Sequence, residues 1–196
     1  MLKRAFDIVF SFTGLILLIP FYLVISVVII LDSRGGAFYL QKRVGRNNKD
    51  FSLFKFRTMR KDSDKKGLLT VGGKDSRITS SGYFLRKYKL DELPQLLNVL
   101  IGNMSFVGPR PEVRKYVDMY NDEQKFVLTV KPGITDVASI EYIHENEILG
   151  KAENPEQTYI DDVMPAKLKL NIEYISERSF GKDMVVIFRT VFSIFK

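Results

Sequence analysis

Cysteine is absent from the 196 residues, which excludes disulfides and any cysteine-built zinc or iron–sulfur centre. A single histidine, His144, excludes multi-histidine metal clusters and makes a hydrolase triad improbable. It lies in Glu141-Tyr142-Ile143-His144-Glu145-Asn146-Glu147, which has no zinc spacing, and reads as a surface or structural residue. Any metal must therefore be held by oxygen, which points to magnesium or manganese. No internal repeat or low-complexity tract stands out. Between Ile8 and Leu31 charge is missing too, over about 24 residues or about 36 Å of helix, enough to cross a bilayer.

Positive charge is in excess. Thirty Lys and Arg against 23 Asp and Glu give a net charge of +7, which favours an anionic partner: nucleic acid, anionic lipid or a phosphorylated substrate. Basic residues flank the apolar segment on both sides, Lys3 and Arg4 before it and Arg34, Lys42, Arg43 and Arg46 after it, and Pro20 interrupts it. A cleaved signal peptide fits poorly, because the apolar part is too long and no small-residue cleavage site follows. Two arrangements stay open: a spanning anchor with a tolerated proline, or a helix that bends at Pro20 and returns to the same face, as the positive-inside tendency would favour.

The length fits one domain plus an appendage. Gly35-Gly36 marks a turn, and residues 51–59 read as a short strand with basic side chains on one face. Residues 61–75 read as a mobile polar loop. A short helix is expected from about Ser80, with Phe84 and Leu85 inward and Arg86 outward, then one from Asp91 to about Leu100 with Asp91 as N-cap. Further amphipathic helices are expected over 112–130 and 166–178, with 139–147 ambiguous between strand and irregular structure. The apolar tail from Met184 reads as a core helix or, preferably, one lying in the lipid interface. The basic-aromatic run at 51–59 has no nucleic-acid motif beside it, and nucleic acid is not expected as a partner.

The chemistry concentrates at Asp91 and Glu92. An acid at an N-cap and another in the first turn stabilise ordinary helices by about 1 kcal/mol, so the pair alone is weak. Its company is stronger: Lys55, Arg57, Arg86 and Arg110 lie in segments that could converge on it, Arg110 within the rigid Gly108-Pro109-Arg110-Pro111 turn. Adjacent carboxylates can hold Mg²⁺, and arginine forks grip phosphate in two-point geometry.

These strings resemble the bacterial sugar transferases, the monotopic phosphoglycosyl transferases that act on polyprenyl phosphate. The resemblance rests on Lys3-Arg4-Ala5-Phe6-Asp7, Gln41-Lys42-Arg43-Val44-Gly45 and Lys55-Phe56-Arg57-Thr58-Met59. It continues through Leu90-Asp91-Glu92-Leu93-Pro94-Gln95, Asn98-Val99-Leu100, Met104-Ser105-Phe106-Val107-Gly108-Pro109-Arg110-Pro111 and Lys131-Pro132-Gly133-Ile134-Thr135. It implies an α-rich α/β catalytic domain (35–196) at the cytoplasmic face of the inner membrane, seated by a re-entrant helix (1–34). Asp91 would attack the β-phosphate of a UDP-sugar and release UMP, and polyprenyl phosphate would then take the phosphosugar. Mg²⁺ would sit at Asp91 and Glu92, with Arg110, Arg86 and Lys55 on phosphates. The chain looks like the family's minimal form, and a homodimer is compatible with its amphipathic surface. It departs from the family pattern at Asn103, usually Asp, and from Asp136 onward, a plausible specificity segment. The alternatives are a non-catalytic scaffold for glycan assembly or a peripheral lipid-binding module.

Overall fold

The computed structural model describes residues 1–61, 63, 69–70 and 75–194. Most of the expected 61–75 loop lies outside the described residues. Two helices open the chain, α1 (Leu2–Leu17) and α2 (Ile19–Asp32), bent by 60° at the break between them. Pro20 falls in the first turn of α2, where its missing N–H has no intrahelical partner to lose. No single helix among the described residues is long and apolar enough to cross a membrane; the bent pair together passes on length and composition. Its outer surface exposes Phe12, Leu17, Phe21, Leu23 and Leu31, a continuous apolar face of the kind that seeks lipid.

Strands β1 (Phe38–Val44) and β2 (Asp50–Phe56) form an antiparallel hairpin, registered Phe38 to Phe56 and Val44 to Asp50. Helices α3 (Ser80–Lys87) and α4 (Gln95–Ile101) follow, then β3 (Ser105–Val107). The rest comprises α5 (Arg114–Val117), β4 (Gly133–Thr135), α6 (Val137–Glu141), α7 (Glu145–Lys151), α8 (Pro155–Thr158), α9 (Met164–Ser176) and α10 (Phe180–Ile194). β3 and β4 pair in parallel. The fold is thus a helix-rich α/β unit with two small sheets. Its main core gathers Val107, Tyr116, Leu149, Val163, Leu168 and Val186, and a second cluster of Ile29, Phe56 and Leu85 joins α2 to β2 and α3.

Polar clamps bind both ends of the bent pair to the same body. At the start, Asp7, 3% exposed, accepts from Ser105 Oγ and Phe106 N, each at 3.1 Å. Arg4 donates to the carbonyls of Val99 (2.7 Å) and Leu100 (2.9 Å) at the C-terminal end of α4, where a cation also meets the helix dipole. Lys3 bridges Val107 O and Asp183. At the far end Arg57, just beyond β2, donates to the carbonyls of Ser33 (2.8 Å), Arg34 (2.8 Å) and Gly36 (2.6 Å) and to Ser33 Oγ. Asp32 in turn accepts from the backbone N–H and hydroxyl of Ser81, at the start of α3.

Several expectations change. The helix expected over 112–130 is only α5 plus a 3₁₀ segment, Gln124–Thr129. Asn121 and Gln124 exchange side-chain-to-backbone hydrogen bonds, a reciprocal cap that ends one turn and begins another. Residues 139–147 hold the end of α6, a turn at 142–144 and the start of α7, with no strand. In α3 Leu85 points inward, but Phe84 is 57% exposed against Tyr88 and Arg86 turns inward, because Gly82 and Leu85 form the packed face. The tail helix is both core and surface: Asp183 and Val186 are buried while Phe188 and Phe192 are exposed.

Replacing Arg57 with Met should cost about 2–4 kcal/mol, since the carbonyls ending α2 lose a buried charged donor. Thermal unfolding in detergent should show it, with Arg57→Lys intermediate because lysine cannot fork. An unchanged melting temperature would contradict the clamp.

Candidate active site

Asp91 is not the N-cap of a regular helix. Leu90–Glu92 is a 3₁₀ turn, and α4 begins only at Gln95. Pro94 has no N–H to bond back to Leu90, so the chain closes tighter bonds instead, Glu92 N to Lys89 O and Leu93 N to Leu90 O, each 3.2 Å. Lys89 enters that turn with φ +56°, a left-handed conformation that a non-glycine residue holds only under surrounding constraint. The result is two consecutive acids, 7% and 8% exposed, of which Asp91 lines a cavity of about 660 Å³.

α4 is fixed beneath them by Asn98, whose fully buried amide bonds the free edge of β2: Phe54 N donates to Oδ1 (2.9 Å) and Nδ2 donates to Ser52 O (2.8 Å). The same strand delivers Lys55. Arg110 arrives on a turn held by backbone-to-backbone contact. A Cβ at Gly133 would lie 2.2 Å from Gly108 N, and one at Gly108 would lie 2.4 Å from Lys131 O. Only glycine permits this approach, and Gly133 N to Pro109 O (3.0 Å) then locks the Pro109-Arg110-Pro111 segment.

Glu92 is the hub. Arg110 binds it with both prongs and Lys55 approaches to 3.5 Å. Burial alone would push the Glu92 carboxyl up, but the charges of Arg110 and Lys55 outweigh it and hold the group well below the usual carboxylate range. Asp91 is different: burial and the adjacent Glu92 charge push its carboxyl up, against the pull of Lys55 and Arg86. Burial also lowers Lys55 to about 8, with Glu92 opposing. Arg86 donates to Thr70 Oγ1 at 2.9 Å, and its buried Nη1 has no partner among the described residues.

The structure therefore brings Asp91, Glu92, Lys55, Arg86 and Arg110 together. Arg57 borders the cavity, but its donors are spent on the end of α2. Asn103 is exposed on the turn after α4 and does not line the cavity, and His144 is a surface residue paired with Glu147. The sequence reading missed Glu112, Tyr142, Asn146, Tyr159 and Lys167, which line the same cavity. Only Glu112 carried a signal, its place next to Pro111.

For Mg²⁺ the donor set is two adjacent carboxylates, and no group of three His, Cys, Asp or Glu suited to a metal occurs among the described residues. That matches the habit of Mg²⁺, which takes one or two carboxylates and fills its shell with phosphate oxygens and water. Asp91 fits this role better than Glu92, whose oxygens already face two cations.

Buried acids and cations share one concave cleft close to the bent helix pair, the kind of place where functional sites are found. The chain belongs to the bacterial sugar transferase family, whose family model matches residues 1–196. It is 36% identical over 196 residues to the UDP-N-acetylgalactosamine-undecaprenyl-phosphate N-acetylgalactosaminephosphotransferase of Aeromonas hydrophila, covering 98% of this chain and 43% of that protein. It is 36% identical over 198 residues to the UDP-glucose:undecaprenyl-phosphate glucose-1-phosphate transferase of Escherichia coli, covering all of this chain and 40% of the relative. The exopolysaccharide production protein PSS of Rhizobium leguminosarum bv. phaseoli is also 36% identical, matching 98% of this chain and 94% of its own length. The chain thus spans less than half of the first two relatives.

Activity should fall above about pH 8 as Lys55 loses its proton, and Lys55→Arg should move that fall up by at least about one pH unit. A pH profile of kcat/KM checks this; an alkaline limb unmoved in Lys55→Arg would assign it to another group.

Proposed function

We propose that this chain transfers a sugar 1-phosphate from a UDP-sugar to a polyprenyl phosphate such as undecaprenyl phosphate, as the first membrane step of glycan assembly. The carrying observation is the split pair: Glu92 is neutralised by Arg110 and Lys55, while Asp91 beside it accepts no hydrogen bond from a described residue. An acid held only to bind cations would be paired like Glu92. An unpaired carboxylate among phosphate-gripping cations suits nucleophilic attack.

In the first step an Asp91 oxygen bonds to the β-phosphorus, the bridging P–O bond breaks, and UMP leaves with the electron pair. In the second a polyprenyl phosphate oxygen attacks the same phosphorus, the Asp91–P bond breaks, and polyprenyl diphosphate sugar departs. Arg86, Arg110 and Lys55 stabilise charge as it moves onto the leaving phosphate. Bound Mg²⁺, for which Asp91 is the better-placed carboxylate, would supply further neutralisation of the phosphoryl oxygens.

The hairpin supports a re-entrant seat at the cytoplasmic face. Both ends are clamped to one globular body, and Tyr22 OH donates to Leu93 O next to the bend at Leu18, an arrangement that keeps the basic flanks on one side. With α1 of 16 residues and α2 of 14, each leg is about 20–25 Å long, shorter than the bilayer core. A lipid phosphate at headgroup level and a soluble nucleotide can then meet at one site.

Purified protein with Mg²⁺, undecaprenyl phosphate and a panel of UDP-sugars should release UMP from at least one of them. Asp91→Asn should abolish release, and Arg110→Ala should reduce it by about 10²–10³-fold. Turnover surviving in Asp91→Asn would remove the covalent route.

A further inference from the structure

The cavity beside Asp91 is lined by two groups of residues. The first arm, Arg34, Gly35 and Thr58, includes the chain just after α2, the element that the reading above seats at the lipid surface. The second arm, Glu112, Tyr142, Asn146, Tyr159 and Lys167, comes from the segments between β3 and the end of α9. We propose that this second arm is the carbohydrate subsite, holding the sugar through both half-reactions, with Tyr142 and Asn146 discriminating between sugars. The inference rests on the two-step reading above.

Three observations carry it. The first is charge. Around Asp91 the cations Lys55, Lys89, Arg86 and Arg110 exceed the acids, as a diphosphate requires. In the second arm the charges cancel in pairs: Arg43 Nη1 lies 2.9 Å from Glu112 Oε1, and Lys167 Nζ lies 2.6 Å from Glu145 Oε2. Such a surface suits a neutral, hydroxyl-rich group rather than a phosphate.

The second is rigidity combined with spare polar capacity. Tyr159, on a π-helical turn, donates to Glu112 Oε2 at 2.5 Å, and Val113 N donates to Oε1 at 2.7 Å, so the Glu112 carboxylate is fixed. Asp136 caps α6 through Ser139 N (3.0 Å) and accepts from Ser139 Oγ (2.5 Å), which steadies the short helices presenting Tyr142 and Asn146. Those two side chains make no hydrogen bond within the described residues, which leaves their donors and acceptors for a ligand. A π-bulge inside a helical stretch is itself a frequent mark of a functional site.

The third is stereochemical. In each half-reaction attack is in line with departure, so UMP leaves along the line opposite Asp91 and the lipid phosphate arrives along that same line. The lipid comes from the membrane side, so the first arm must serve UMP and lipid phosphate in turn. The sugar alone stays through both steps and needs the arm that neither of them traverses. Arg110 stands at the junction, two residues before Glu112.

The test compares donor kinetics with product binding in Asn146→Ala and Tyr142→Phe; Asn146 is exposed, so its truncation spares the fold. Both variants should raise KM for the preferred UDP-sugar by about five- to tenfold, the loss of one or two neutral hydrogen bonds, and alter the ranking of UDP-hexoses against UDP-N-acetylhexosamines. The inhibition constant of UMP should stay within about twofold, since UMP lacks the sugar. A parallel rise in that constant would make this arm the nucleoside site and overturn the proposal. Unchanged donor KM and ranking in both variants would also overturn it while leaving the phosphotransfer reading intact. Wild-type protein that binds UMP yet releases none from any UDP-sugar would overturn that reading, and the subsite with it.

Discussion

The ion pair between Glu92 and Arg110 is the constraint on which the site depends. It holds a guanidinium at the cavity and neutralises one of two adjacent buried acids. Without it, two carboxylates under 10% exposed would repel each other and one of them would be driven toward its protonated form. With it, two adjacent acids differ: Glu92 is bound directly by Arg110 and Lys55, while Asp91 accepts no hydrogen bond from a described residue.

That ion pair is held at arm's length by features far from it in the chain. Gly108 and Gly133 let two backbones touch, which sets Arg110. Asn98 completes the free edge of β2, which sets Lys55 relative to α4. Two residues after Lys55, Arg57 grips the end of α2. Lys55 and the residue that grips the end of α2 therefore lie two positions apart on one stretch of chain, so the placement of the bent helix pair and the assembly of the site are mechanically linked. At the opposite end, Asp7, Arg4 and Lys3 perform the same service for β3 and α4.

Much of this was legible in the residues, and the failures are as informative. The acids, Lys55, Arg86 and Arg110 could be nominated because two adjacent acids stand among basic segments and a glycine–proline turn, and the bend because charge flanks an apolar run broken by Pro20. Arg57 looked equivalent to Lys55 in sequence; only tertiary packing shows that its fork closes on carbonyls. The inward turn of Arg86 was hidden because Phe84 has the greater apolar bulk, while the packed face is chosen by Gly82 against the Thr58 backbone. The second cavity arm was illegible: Tyr142 and Asn146, Tyr159, and Lys167 come from three separate stretches, and nothing in the sequence joins them. The expected long helix over 112–130 failed through the local cap at Asn121, which outcompeted helical pattern.

The central claim is that Asp91 carries the phosphosugar. Intact-mass and peptide mass spectrometry of protein incubated with UDP-sugar and Mg²⁺, without lipid acceptor, measures this most directly. The account predicts one added hexose- or N-acetylhexosamine-phosphate mass on the peptide containing Asp91, discharged by undecaprenyl phosphate and absent in Asp91→Asn. Lipid-dependent product formation with no adduct in its absence, or an adduct on another residue, would contradict it.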